Sequence, residues 1–158
     1  IDLPELMKTL ADESVKQELI RRVQSLKHDS PRRWGKMTPH QMLCHLNDSF
    51  KLALGEVRLK VIGNIFHRTF IKGLALYTPI PWPHGVPTMP EMDQEKQGTP
   101  PVEFTRDMAE LVAIIERIHR PNRDFAWGRH PIFNEMSDWE WLRWGYLHVD
   151  HHLRQFGV

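Results

Sequence analysis

The segment WGYLHVDHHLRQF, residues 144–156, carries His148, His151 and His152. On a helix, residues four apart share a face with Cβ atoms about 5–6 Å apart. Two imidazoles so placed can grip one metal ion through bonds of about 2.0–2.1 Å without bending the helix. His148 and His152 have this spacing, and Gln155 follows one turn later on roughly the same face. His151 is turned about 60° from His148 and is harder to include. The chain holds ten histidines, enough to supply one such pair by chance, so a histidine-rich surface turn is the plainer reading of the pair alone. A third donor from another helix would change that balance. His45, in MLCHLNDSF (42–50), sits in an apolar frame, where it is either a satisfied core histidine or a ligand pointing inward. Facing helices that supply one and two histidines are a recognised way to build a metal site inside a bundle.

Stepping out from these residues, both histidine segments have strong helix starts. Thr38, Pro39 and Gln41 form a capping box with proline at the first helical position, and Met42, Leu43, Leu46, Phe50, Ala53 and Leu54 make an apolar stripe to Gly55. Ser137 and Glu140 form a second capping box, opening a tryptophan-rich helix from Asp138 to Phe156. Asp2, Pro4 and Glu5 predict a helix over 2–27, and apolar periodicity predicts another over 104–119. Residues 57–76 read as helical, interrupted by Gly63 and Gly73. From Tyr77 to Pro101 the chain carries most of its prolines, which excludes regular structure and marks a long functional or mobile loop. The pattern predicts one all-α domain over 1–158: four principal helices and a shorter one, most simply an antiparallel bundle.

Composition narrows the function classes. The 158 residues carry 21 Lys+Arg and 20 Asp+Glu, without the basic excess that nucleic-acid binding demands. The Arg-rich pieces PRRW and IERIHRPNR are short and separated. No apolar run is long enough for a membrane span, and no membrane partner is expected. The single cysteine, Cys44, excludes an internal disulfide and suits a reducing, cytoplasmic setting. The first residue is Ile1, which leaves room for a removed targeting segment.

Two segments carry a resemblance: WGKMTPHQMLCHL (34–46), and HPIFNEMSDWEWLRWGYLHVDHHLRQF (130–156) with its His-x-x-x-His-x-x-Gln ending. The chain is similar to the DinB/YfiT-like superfamily of four-helix-bundle metalloproteins, and more narrowly to a branch labelled a domain of unknown function. The resemblance implies a divalent metal held by His45, His148 and His152 with an open coordination side. It also implies kinship with transferases and isomerases that use low-molecular-weight thiols such as bacillithiol or mycothiol, and, since relatives are often dimers, a homodimer. A typical relative has glycine before the closing glutamine; here Arg154 stands there.

From that ligand set the chemistry follows. Three neutral imidazoles leave a 2+ charge uncompensated and a site open, as catalytic metals have. An all-nitrogen set suits Zn, Ni, Co or Fe. Gln155, Asp48 and Asp150 are candidates to orient the imidazoles, although each carboxylate is more simply a solvated helix charge. Cys44 lies about 100° from His45 around the helix and reads as a buried, inert thiol. Trp139, Trp141 and Trp144 read as core and cleft wall. His40, His67, His84, His119 and His130 lack partners at ligand spacing and are expected on the surface or in loops. The expectation is a metal-dependent, thiol-dependent S-transferase acting on a small electrophilic substrate. The alternatives are a metal-dependent hydrolase and a non-catalytic metal-binding, stress-associated module.

Overall fold

A computed structural model describes residues 7–158. These residues form five α-helices and no strand; one isolated bridge joins His130 and Asn134. The first described helix, α1 (Glu13–Ser25), covers the later part of the predicted span 2–27. Asp12 takes the N-cap position, its carboxylate accepting the Val15 N–H at 3.1 Å, which satisfies a first-turn amide that would otherwise lack a partner. Residues 7–12 before it are not helical: Leu10 is fully buried and donates its N–H to the Leu142 carbonyl. The expected start at Asp2, Pro4 and Glu5 lies outside the described residues.

Helix α2 (Pro39–Ala53) starts where its capping box places it, with Thr38 and Gln41 bonded reciprocally. The region 57–76 differs from expectation, because residues 57–64 are not helical. Ile62 and Gly63 donate their N–H groups to the Pro131 carbonyl, and that tie holds this stretch against the loop before the last helix. Helical turns then run without a break over 65–77, as a π-turn (His67–Ile71) leading into α3 (Lys72–Tyr77). The proline-rich loop holds only a 3₁₀ turn, Pro90–Met92. Helix α4 (Phe104–Arg117) is capped by Glu103, and α5 (Asp138–Gln155) by the Ser137–Glu140 capping box.

Helices α1 and α2 each lie against both α4 and α5; α3 packs on α5, and the 3₁₀ turn sits on α2. Leu19, Val23, Leu46, Phe50, Leu111, Ile115, Trp141, Val149 and Leu153 fill the space between them. Gly145 sets the closeness of α2 and α5. A Cβ there would stand 2.8 Å from Leu10 Cδ1 and 3.2 Å from Phe50 Cε1. Phe50 lies five residues past His45 and Gly145 three before His148, so this contact draws together the helix faces that carry the histidines. Removing the Phe50 ring would cost about 3–5 kcal/mol.

Candidate metal centre

His45 on α2 meets His148 and His152 on α5. Ring centroids are 5.1 Å apart for His45–His148, 4.8 Å for His45–His152 and 5.0 Å for His148–His152. One ring nitrogen from each lies within 4.8 Å of the others. The two Nε2 atoms of His45 and His148 are 3.1 Å apart, close to the roughly 3.3 Å that two ligands span on a tetrahedral ion with bonds of 2.0–2.1 Å.

The hydrogen bonds settle which nitrogens face inward. His45 donates its Nδ1–H to the Met92 carbonyl at 2.9 Å, leaving Nε2 as an acceptor. His152 donates Nδ1–H to Gln155 Oε1 at 3.0 Å. Gln155 is itself fixed, its amide donating to the Trp34 carbonyl at 2.8 Å. Gly35 permits this: its φ of +78° suits glycine, and a Cβ there would stand 2.5 Å from Gln155 Nε2. For His148 the network requires Nε2–H to donate to His45, so its buried Nδ1 is left with no partner. An orphaned buried nitrogen is costly. A cation among the three rings would take lone pairs from all three, with the His148 proton moving from Nε2 to Nδ1.

Burial drives all three imidazoles toward the neutral form. It holds His148 and His152 well below the ordinary histidine value, with the neighbouring histidines adding to the effect, and it lowers His45 despite the opposing Met92 carbonyl and Asp48. Neutral rings with no carboxylate among them are suited to a divalent cation. The residues present therefore fit a metal ion.

Around the cluster stand groups that spacing did not reveal. Trp144 lies 4.8 Å from His148, and Trp82 of the proline-rich loop lies 5.9 Å from it, with its indole N–H on the Ala75 carbonyl. His84 from the same loop stacks on Trp34 at 3.8 Å, next to His151. His151 remains at the rim, outside the three-nitrogen cluster.

Of the candidate orienting residues, Gln155 is in place and the two carboxylates are not. Asp48 accepts bonds from Gln94, from the Thr99 N–H and from the Thr99 hydroxyl. It thereby anchors the loop that delivers the Met92 carbonyl and does not touch an imidazole. Asp150 pairs with Arg22 at 2.7 Å and with Arg154 at 2.9 Å.

A second cluster lies on the other side of α2 and corrects the expectation for His40. His40 is buried, with Nε2 2.7 Å from Asp107 Oδ2 on α4. Cys44 donates its thiol to the same oxygen at 3.5 Å, and Asn47 bonds the Asp107 carbonyl. Burial and the Asp107 charge push the Cys44 thiol up to about 12. Burial opposes ionisation of Asp107, yet the bonds from His40 and Cys44 outweigh it and hold the carboxyl below its usual range. Cys44 stays an inert thiol away from the three-histidine cluster, as expected.

His130 lies in a loop, as expected, with its ring turned inward. It sits in the loop before α5, stacked on Phe133, and its Nδ1 accepts the N–H groups of Ile132 and Phe133. Burial drives it down to about 3. The expected roles of the tryptophans hold in part: Trp141 is fully buried core, Trp144 walls the cluster, and Trp139 leans on Tyr77.

Compared with known proteins, the chain matches no family model, no curated protein and no solved structure.

Proposed function

We propose that this protein is a divalent-metal-dependent enzyme of the DinB-like type, a thiol-dependent S-transferase whose ion is held by His45, His148 and His152. The observation that carries the reading is three neutral ring nitrogens facing one another with no acid among them, one of the rings lacking a partner for its other nitrogen. The packing of α1 and α2 against both α4 and α5 supports the four-helix bundle that this reading requires.

A divalent ion in such a nitrogen set supplies Lewis acidity that lowers the pKa of a thiol or of water. The remaining work belongs to the chain. Met92 and Gln155 fix His45 and His152 with their Nε2 atoms inward, as acceptors on the outer nitrogen generally do. Trp82 and Trp144 give the cluster apolar walls that limit water and flank the electrophile. His151 at the rim is held below its ordinary value, first by burial, so a neutral ring nitrogen there can accept the proton of an incoming thiol.

The test begins with metal analysis of untagged protein purified without added metal, followed by an assay of thiols against a panel of electrophiles. Alanine substitution of His45, His148 or His152 should abolish both the metal and the turnover. Turnover that survives all three changes overturns the metal mechanism. Turnover without thiol makes the protein a hydrolase, and stoichiometric metal with no turnover leaves a metal-binding module.

A further inference from the structure

The helical run 65–77 buries one side and leaves another apolar side in water. Ile71 and Ala75 pack against the core, and Leu76 is fully buried. Ile65, Phe66, Phe70, Leu74 and Tyr77 instead have 73%, 53%, 60%, 40% and 52% of their surface exposed. The rings of Phe66 and Phe70 stack with centroids 5.2 Å apart, so they share one face. At about 200 Å² for each such side chain fully exposed, the five leave roughly 550 Å² of apolar surface uncovered, near the top of the range for the largest patch on a monomer. Ile62 and Ile80, 59% and 56% exposed, continue it into the flanking segments.

The polar groups of this run are bonded within the chain. Asn64 Oδ1 accepts the N–H groups of Phe66 and His67 at its start. Midway, the Thr69 hydroxyl donates to the Ile65 carbonyl. At the far end the carbonyls of Leu74, Ala75 and Leu76 accept from the Thr78 hydroxyl, the Trp82 indole N–H and the Arg143 guanidinium. Helix ends ordinarily leave such groups to water. Here side chains occupy them, so the exposed face can lose its water without orphaning them. Protein partners are held by hydrogen bonds as well as apolar area, whereas this face offers area with its hydroxyls already bonded.

Charge names the occupant. Residues 57–90 contain Arg58, Lys60, Arg68 and Lys72 and no Asp or Glu, while the rest of the chain carries three more acids than bases. Lys72 is matched by Glu140 at 3.0 Å. Arg58, Lys60 and Arg68 have no carboxylate partner among the described residues, and Arg68 Nε is buried with no hydrogen-bond partner there. An apolar face accompanied by cations and no acid fits hydrocarbon beneath a layer of anionic headgroups. It does not fit a second copy, which would bring the same cations together.

We propose that segment 62–80 lies in the interface of an anionic lipid bilayer. Phe66 and Phe70 enter the headgroup–acyl boundary, and Arg58, Lys60 and Arg68 meet headgroup phosphates. No helix among the described residues is long and apolar enough to cross a membrane, and lying in the interface requires no such length. The expectation of no membrane partner therefore holds for a span and not for this face.

The test is co-flotation of the full chain with vesicles of phosphatidylcholine alone, or of phosphatidylcholine mixed with phosphatidylserine. Wild type should float with the mixed vesicles, stay behind with the neutral ones, and release at about 1 M salt, where the screening length falls to about 3 Å. Phe66→Ser/Phe70→Ser should weaken binding about 30-fold, and Arg58→Gln/Lys60→Gln/Arg68→Gln about 100-fold. Arg58→Gln/Lys60→Gln changes exposed residues only. It should still weaken binding about 20-fold, which keeps the test valid should the Arg68 change disturb the fold. The control Val102→Ser, at a residue 72% exposed outside the patch, should bind as wild type does. Circular dichroism should be the same for all. A wild type that does not float, that floats equally with neutral vesicles, or that ignores salt or the two Phe changes overturns the proposal. So does capture by polyglutamate without flotation, which makes the partner an acidic protein.

Discussion

Helix α2 carries two clusters of metal-competent side chains, and they are chemically opposite. On the α4 side, His40 and Cys44 both point at one carboxylate, so donors and acceptor satisfy each other and Asp107 is held ionised. On the α5 side, His45 and His152 turn acceptor nitrogens inward, His148 donates to His45 and leaves its own Nδ1 without a partner, and no acid is among them. Cys44 and His45 are adjacent in sequence, yet the rotation of about 100° per residue assigns them to different clusters. Proximity of histidine, cysteine and aspartate does not by itself make a metal site. A closed donor–acceptor set is complete as it stands, while a set with more inward acceptors than donors suits a cation.

The contrast can be broken most directly by metal content. His148→Ala should lose essentially all bound divalent metal by elemental analysis, whereas Cys44→Ala should retain it at wild-type stoichiometry. Loss of metal from Cys44→Ala would reverse the assignment of the two clusters. Next in size, Asp107→Ala should destabilise the fold by about 2–3 kcal/mol in urea, because it leaves the buried His40 ring and Cys44 thiol without their acceptor, while leaving metal content intact at low denaturant. A smaller effect is expected for Gln155→Leu. Freeing the His152 ring should weaken metal affinity by about 10–100-fold in a competition titration with a chelator, with little change in helix content.

The last effect concerns acid. The buried histidines of the three-nitrogen cluster and His130, lowered to about 3, are neutral when folded and bind protons more readily when unfolded. Their contribution to stability is complete above about 6.5 and is lost as pH falls through and below it. The melting temperature of the metal-free protein should therefore drop by about 10 °C or more between pH 6.5 and 5, above the range where ordinary carboxylates titrate. His148→Leu should flatten that slope, and Asp107→Asn should not.

Much of the site's framework is legible in the sequence. The Thr38–Gln41 and Ser137–Glu140 capping boxes set the phase of both site helices, and four-residue spacing put His148 and His152 on one face. Gln155 could be placed for the same reason. The Met92 carbonyl could not, because a backbone acceptor has no residue-type signature and reaches His45 only through the fold of an irregular loop. The partner of His40 was hidden by distance along the chain, since Asp107 lies 67 residues away. Within the predicted first helix, residues 7–12 are not helical, and Asp12 caps the part that begins at Glu13. At 57–64, a long-range tie to Pro131 overrode a local helical pattern.

The bond from Gln155 to the Trp34 carbonyl spans 121 residues, and the contact between His45 and His148 spans 103. A site closed by such distant segments comes together only when helices from both halves of the chain have docked, and such contacts form late when folding begins from local structure. A cation held there would stabilise the native state far more than the folding transition state. The kinetic consequence is asymmetric: loading the metal should slow unfolding many-fold and leave the refolding rate nearly unchanged. The three histidines would then act as a latch on a chain that has already folded, and they would set how long the protein persists.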